Sequence, residues 1–192
     1  MSTVTTAFFT CPLDDDAALI PRTVAIADAY QALLELNYEH LARFPGFERR
    51  PTPEATRAAL EQRGQAWLRG SELPMAIAVT AEGGWRLVGA VNLLIDGSTR
   101  SGEVGYWLDA DHQGRGLVTR AVTAVLDHAF GPLGLHRVVL ETTTTNARSQ
   151  GVARRLGFTQ EGVLREGAAH PDTRHDAVIF GLLAREWHKA AV

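Results

Sequence analysis

Residues 23–69 carry apolar side chains at roughly helical spacing, which predicts helices in the first third of the chain. The spaced positions are Val24, Ala27, Leu33, Leu34 and Leu41. A second helix is expected to begin at Thr52, where a threonine N-cap is followed by a proline and an acidic residue. We expect that helix to end near Gly70, and a loop rich in helix breakers, residues 43–51, to precede it.

From residue 74 onward the pattern changes to short apolar runs that are typical of strands. Three runs are joined by short turns at residues 81–84 and 96–100, which predicts an antiparallel meander. The three strands are expected at residues 75–80, 85–95 and 102–108.

The rest of the chain alternates helices with strands. A one-sided apolar stripe predicts a helix over Leu117–Phe130, which Gly131 and Pro132 would end. A strand at residues 136–142 follows, with an apolar centre typical of burial on both faces. A short helix is then expected at residues 146–156, and two more strands at 158–164 and 176–183. This order predicts an α/β protein with one mixed sheet.

Composition, charge and cysteine count restrict the domain number, the partners and the compartment that we expect. The chain has 192 residues, 45% of them hydrophobic and 21% charged, which fits a single domain over residues 1–192. A net charge of −3 and a pI near 6.2 disfavour nucleic acid as a partner. The single cysteine, Cys11, precludes an internal disulfide. No signal peptide or membrane span is evident, so we expect a cytoplasmic protein with no membrane partner. No two histidines have the His-Glu-x-x-His spacing of metal ligands, so we expect no metal.

A loop with two glycines, Gly114 and Gly116, separates the strand that ends at Leu108 from the helix that begins at Leu117. The unpaired N–H groups at a helix start bind anions, and glycines let the backbone approach a ligand closely. Arg115 adds a positive charge between the glycines. The spacing fits neither a dinucleotide fingerprint nor a Gly-Lys-Ser/Thr loop. The loop is therefore interpreted as a pyrophosphate cradle of another kind, or simply as a tight turn.

Residues 113–116, after the strand at 103–108, resemble motif A of the GNAT superfamily of acyl-CoA-dependent N-acyltransferases. Residues 146–158 resemble the family's following helix, with an Asn at its start, a Ser in its first turn and a Leu-Gly-Phe ending. Segments at 37–41, 52–56 and 176–187 resemble the RimJ/RimL branch, which acetylates ribosomal-protein N-termini. The resemblance covers nearly the whole chain and departs from the motif at Val118, where glycine or alanine is usual.

The resemblance implies a mixed sheet that is splayed at its centre and flanked by helices, with acetyl-CoA as co-substrate and no metal. The pantetheine arm would lie in the gap, and a backbone N–H near Leu108 would polarise the thioester carbonyl. The implied cofactor contacts are Leu108, Gln113, Gly114, Arg115, Gly116, Leu117, Val118 and Asn146. Arg154 and Arg155 would help to hold the 3′-phosphate of coenzyme A, or would simply face solvent.

In this family the amine attacks the thioester directly, so Cys11 is not required as a nucleophile. Glu103 is the first candidate base, the alternative being an ordinary solvated or ion-paired carboxylate, and Glu166 is the second candidate. The tyrosine acid of many family members is absent from the helix after motif A, and Ser149 matches the serine of the RimL-like branch. Ser149 and Asn146 also suit the start of a helix for purely structural reasons.

Three further residues are candidate acceptor contacts. Asn37 belongs to the segment that resembles the RimJ/RimL branch, whereas His170 and His175 lie in a polar loop expected at residues 167–176. The region of residues 37–50, with its aromatic side chains, is expected to line the acceptor cleft or a homodimer contact.

The leading hypothesis is an acetyl-CoA-dependent N-acetyltransferase that acts in a ternary complex. A protein N-terminal α-amine is the favoured acceptor, and a lysine or a small-molecule amine is the alternative. Transfer of another short acyl group, such as succinyl, stays open because the acyl pocket is not visible in the sequence. A non-catalytic acyl-CoA sensor is the rival from a different class.

Overall fold

The structure, a computed structural model, describes residues 10–44, 47, 49–170 and 173–187. Its strands form one sheet in the order β1-β2-β3-β4-β5-β6-β8-β7. The strands are β1 Cys11–Pro12, β2 Ala17–Pro21, β3 Glu72–Ala81, β4 Gly84–Asp96, β5 Ser101–Leu108, β6 Arg137–Thr143, β7 Thr159–His170 and β8 Thr173–Leu183. The α-helices are α1 Ala27–Leu36, α2 Tyr38–Leu41, α3 Pro53–Leu68, α4 Leu117–Phe130 and α5 Ala147–Arg155.

The antiparallel meander predicted from the sequence is confirmed in β3, β4 and β5. The expected helix starts also form. The Thr52 hydroxyl accepts a hydrogen bond from the N–H of Ala55 at 3.2 Å, and α4 has the predicted bounds. The strands β1 and β2 were not predicted. The five residues of β2, Ala17–Pro21, show no alternation of apolar and polar side chains. Its residues are all buried, and it pairs with β3.

Helices cover both faces of the sheet. The buried stripe of α4, which includes Leu117, Val122 and Leu126, packs on one face together with α5. On the other face α1 and α3 pack over the β2–β5 half, through residues such as Leu33 and Leu60. The predicted α/β class, with a mixed sheet flanked by helices, is therefore confirmed.

The sheet is splayed between β5 and β6. These two strands are the parallel pair at its centre, and their ladder joins only Ser101–Glu103 to Arg137–Val139. Beyond Glu103, β5 stays paired with β4 up to Leu108, and β6 stays paired with β8 up to Thr143. The two halves of the sheet therefore diverge and leave a gap, as the resemblance implied.

Two local predictions were wrong. The strand β6 is not buried on both faces: Val138 and Leu140 are buried against α4, whereas Val139 is partly exposed and Glu141 is exposed. Among the described residues, helices pack on one face only of this half of the sheet. Of the polar loop expected at residues 167–176, residues 167–170 instead end β7 and residues 173–176 begin β8, with Ala168 paired to His175. Backbone pairing at a sheet edge does not require apolar side chains, so the polar sequence gave no strand signal.

The helical region predicted at residues 23–69 is divided into several pieces. A short 3-10 turn, Val24–Ile26, precedes α1, and α2 is a single turn that follows Asn37. Of the region 37–50, residues 45, 46 and 48 lie outside the described residues, as do 171 and 172 next to the hairpin end.

Candidate active site

A cleft of about 1430 Å3 occupies the gap between β5 and β6. Its walls are β5 from Glu103 to Leu108 and β6 from Leu140 to Thr143. The loop before α4 and the first turns of α4 and α5 form its floor on one face, while α2 and the β7–β8 hairpin border the other. The cleft therefore links the glycine loop to the strand that carries Glu103.

The glycine loop has the backbone conformation that the sequence suggested. Gly114 and Gly116 have φ values of +78° and +73°, and Gly116 is the N-cap of α4. The N–H of Arg120 donates to the carbonyl of Gly116 at 3.0 Å, so the N–H groups of the three preceding residues lie ahead of the first helical bond. A Cβ at either glycine would meet no atom within 4 Å. The loop is thus an exposed cradle of backbone donors, suited to an anion.

Three side chains form a polar bridge along the cleft. The guanidinium of Arg148, in the first turn of α5, donates to the side-chain carbonyl of Gln113. The Gln113 amide nitrogen lies 3.2 Å from Nε2 of His40. Burial lowers the pKa of His40, and the positive charges of Arg43 and Arg148 lower it further. The negative charge of Asp109 raises it and offsets part of this effect. A neutral His40 is the state that this bridge accommodates at pH 7.

The basic side chains near the glycine loop have different roles. Arg115 is exposed and is not among the residues that line the cleft. Arg155 lines it and donates to the Thr119 hydroxyl at 3.2 Å. Its neighbour Arg154 instead packs over the Phe180 ring, 5.7 Å from its centroid. The structure therefore separates the basic pair and leaves Arg155 to face the cleft.

Asn146, Ser149 and Tyr106 form a second cluster at the start of α5. The Asn146 side chain caps the helix by accepting the Ser149 N–H at 3.1 Å. The hydroxyl of Tyr106, which projects from β5, lies 2.9 Å from the Ser149 hydroxyl. Burial raises the pKa of Tyr106, and the hydrogen bond to Ser149 offsets part of that rise. The sequence does not point to Tyr106, because the resemblance implies a tyrosine on or after the helix that follows motif A and Tyr106 precedes it.

Two carboxylates face the cleft at the point where the strands part. Glu103 is exposed and pairs in register with Val139 across the parallel ladder, so both lie on the face opposite α4. Glu141 is two residues beyond Val139 and therefore shares that face. Partial burial raises the pKa of Glu141, and the charge of Glu103 raises it further. Glu141 was missed because the strand was expected to be buried on both faces.

Aromatic side chains line the same face of the cleft. Trp107 contacts Phe47 at 6.1 Å between ring centroids, and Phe44 contacts the ring of His40 at 5.6 Å. Both phenylalanines line the cleft. Of the two roles predicted for the region 37–50, the structure thus places these described residues at the cleft.

The structure does not bring Asn37 into the cleft. Its side chain is buried, donates to the carbonyl of Leu33 at 3.1 Å and accepts from the N–H of Ala110 at 3.2 Å. Asn37 therefore anchors the loop that leads from β5 towards the glycines, rather than presenting a group to a substrate.

Glu166, His170 and His175 are likewise not among the residues that line the cleft, although the neighbouring Ala168 and Ala169 are. Glu166 sits at a bulge with φ +51°, and its N–H donates to the Asp176 carboxylate at 2.8 Å. The ring of His170 is 3.0 Å from the carbonyl of Ala42, which joins the hairpin to the end of α2.

Among the described residues, no three His, Cys, Asp or Glu side chains are grouped so as to hold a metal ion. None of the helices in the described part of the chain is both long and apolar enough to cross a membrane.

The splayed sheet and the glycine loop at a helix start define an α/β protein with an anion cradle beside a central cleft. Residues 19–159 match the family described as Acetyltransferase (GNAT) domain. The chain belongs to this family, as its resemblance to motif A suggested.

Known relatives agree with the branch named from the sequence. The Ribosomal-protein-serine acetyltransferase of Escherichia coli (strain K12) is 33% identical over 95 residues, 49% of this chain and 53% of that protein. The chain spans about half the length of the first curated relatives that it matches.

Two solved structures have the same fold. A crystal structure of a probable acetyltransferase has a TM-score of 0.86 at 26% identity, covering 93% of this chain and 99% of that chain. RimL, a ribosomal L7/L12 alpha-N-protein acetyltransferase in complex with coenzyme A, has a TM-score of 0.84 at 22% identity, covering 91% and 97%.

Proposed function

We propose that the protein is an acetyl-CoA-dependent N-acetyltransferase that acts on a primary amine, with a protein N-terminal α-amine as the favoured acceptor. The observation that carries the proposal is the cleft between β5 and β6, which joins the glycine loop to two carboxylates. Family membership and the RimL-like fold support it. The amine would attack the thioester directly within a ternary complex. The reaction would be carried out by a single domain over residues 1–192, in the cytoplasm.

The donor would bind along the face of the sheet that carries α4. Its pyrophosphate would accept hydrogen bonds from the backbone of Gly114, Gly116, Leu117 and Val118, where the helix dipole adds favourable charge. Arg155, which faces the cleft, would add a cation near the phosphates. Asn146 and Gln113 also line the cleft and would contact the pantetheine arm.

The thioester would reach β5 where that strand has lost its β6 partner. Past Glu103 the ladder to β6 has ended, so backbone groups on that edge of β5, near Leu108, are free to pair with the arm. A backbone N–H aimed at the developing oxyanion contributes about 3 kcal/mol in comparable sites. The edge of β5 therefore supplies both a binding ladder and a polarising donor.

The acceptor amine would approach from the opposite face, where Glu103, Glu141 and the aromatic side chains lie. An α-amine has a pKa near 8 and a lysine near 10.4, so at pH 7 about one α-amine in ten is already neutral. Where the amine is still charged, Glu103 would accept through water the proton that the amine must lose before it attacks. Glu141 would add negative charge beside it, which favours a cationic acceptor.

Thiol release from acetyl-CoA tests the proposal with two matched peptides. One peptide has a free N-terminus and no lysine, and the other has a blocked N-terminus and a single lysine. Release with the first alone supports the α-amine, whereas release with the second alone rejects it. Silence with both would turn attention to a small-molecule amine, another acyl donor such as succinyl-CoA, or a non-catalytic sensor.

The role of Glu103 is tested by Glu103→Gln with Glu82→Gln as the matched control. Glu82 is an exposed carboxylate in the turn before β4, away from the cleft. We expect kcat to fall for Glu103→Gln by about 100-fold, within the range for general bases, and to stay unchanged for the control. Equal kcat in both variants would remove Glu103 as the base.

A further inference from the structure

Tyr106 and Ser149 are brought together from positions 43 residues apart. Tyr106 lies on β5 opposite Val91 of β4, in the part of the strand that has no β6 partner. Its side chain therefore has space to cross to α5, where its hydroxyl lies 2.9 Å from that of Ser149. Both residues line the cleft.

Either hydroxyl can donate in this hydrogen bond. The Tyr106 hydroxyl is also 3.5 Å from the backbone carbonyl of Ser149, and a carbonyl can only accept. Tyr106 can donate to that carbonyl or to Ser149 Oγ, and in the second arrangement its O–H points at the serine oxygen. The hydrogen of the Ser149 hydroxyl is then free to point into the cleft, while the Asn146 cap holds the serine backbone in place.

Ser149 by itself is a poor acid for a leaving thiolate. A thiol has a pKa near 8.5, far below that of an aliphatic hydroxyl, so a serine that lost its proton would be left as an unstable alkoxide. A tyrosine, with a pKa near 10, is closer to the thiol and would resupply the serine. Burial raises the pKa of Tyr106, which keeps its phenol protonated at neutral pH.

We propose that Tyr106 and Ser149 form a two-hydroxyl relay that protonates the departing thiolate of the acyl-CoA. The C–S bond breaks with its electron pair on sulfur, and the Ser149 proton moves to sulfur to form the thiol. The Tyr106 proton moves to Ser149 Oγ in the same step. The phenolate then regains a proton from solvent, and solvent receives through Glu103 the proton that the amine releases. The net transfer is therefore from amine to thiol. Tyr106 acts through Ser149 and is a positioning residue in this scheme.

The relay rests on the proposed acetyl transfer, and its test separates it from a structural hydrogen bond. If the hydrogen bond were only structural, losing it would lower Tm without changing kcat. The relay instead predicts a loss of kcat at saturating acetyl-CoA and amine. It also predicts that the loss depends on the presence of Ser149.

The experiment is a double-mutant cycle on kcat with Tyr106→Phe, Ser149→Ala and the double variant. We expect kcat to fall about 10- to 100-fold for Tyr106→Phe, with little change in KM for acetyl-CoA. In the Ser149→Ala background the same change should have no further effect, because the path to sulfur is already broken. Ser149→Thr, which keeps a hydroxyl, should restore most of the activity. Tyr38→Phe, on α2 and outside the cleft, is the matched control.

The outcomes are distinguishable. An unchanged kcat for Tyr106→Phe, or the same loss with and without Ser149, would overturn the relay while leaving the proposed function in place. A parent protein that releases no thiol with any amine offered would overturn both. If Tyr106→Phe does not fold, Ser149→Ala and Ser149→Thr decide the question, because equal activity in those two variants contradicts the relay.

Discussion

Gly116 allows the shape of the glycine loop to be tested separately from its packing. Its φ is +73°, and a Cβ added there would meet no atom within 4 Å. Gly116→Ala would therefore cost energy only through the left-handed backbone, which destabilises a non-glycine residue by about 1–2 kcal/mol. At about 2–4 °C for each kcal/mol in a chain of this size, Tm should fall by a few degrees.

Gly64→Ala is the matched control. Gly64 lies inside α3, and a Cβ there also meets no atom within 4 Å. Its backbone is helical, so alanine should stabilise the protein by up to about 1 kcal/mol. The same chemical change in equally open space is thus expected to shift Tm in opposite directions at the two sites.

The assay pairs thermal unfolding with calorimetric titration of coenzyme A. Gly116→Ala should bind coenzyme A more weakly than the parent, because the new methyl group and the shifted loop disturb the backbone donors. Gly64→Ala should bind it with the parent's affinity. A rise in Tm for Gly116→Ala would refute the backbone argument, and unchanged affinity would refute the cradle and favour a simple tight turn.

Single substitutions at three further sites are expected to change the stability of the protein. Asn146→Ala should lower stability by about 1 kcal/mol through loss of the α5 cap, whereas Asn146→Asp should retain most of it in thermal unfolding. Glu141 has a raised pKa, so ionising it disfavours the folded state. Its stabilising protonated form is lost as pH rises through the folded pKa. Glu141→Gln should therefore gain Tm relative to the parent at pH 8 and not at pH 4; an equal gain at both would contradict this. Leu126→Ala should cost about 2–5 kcal/mol in chemical unfolding because Leu126 is fully buried, and Leu68→Ala, at a site 88% exposed, should cost less than about 0.5.

Local signals in the sequence were sufficient for much of the fold. The one-sided stripe of α4 and the caps at Thr52 and Asn146 each depend on neighbours within a few residues, and each forms as expected. The meander depends on short turns and was equally accessible. These features need no knowledge of distant contacts.

The features that were missed depend on distant parts of the chain. The burial of Val139 and Glu141 depends on which faces of the sheet carry helices. The residue pattern of β6 alone does not indicate where those helices pack. The segment β2 becomes a strand by pairing with β3, whose partner residues lie 54 to 62 positions later in the chain. The bond between Tyr106 and Ser149 likewise needs the splay of the sheet and the position of α5 together.

The residues of the candidate site likewise divide into those with a local sequence signal and those whose role depends on distant contacts. Gly114 and Gly116 were identified from the local motif, and their positive φ values agree with it. Asn37 was assigned to the acceptor from a resemblance between segments. The structure shows instead a buried amide that ties the last turn of α1 to the segment after β5. A segment can therefore match a family pattern for reasons of folding alone.

The short ladder between β5 and β6 has a consequence for the order of events. Because that ladder ends at Glu103, the gap beyond it passes through the sheet and opens on both sides. In the proposed acetyl transfer, a donor on the α4 side and an amine on the other side can meet at the gap without passing each other. We therefore expect either substrate to bind first and either product to leave first, so that initial-rate kinetics show random rather than compulsory order.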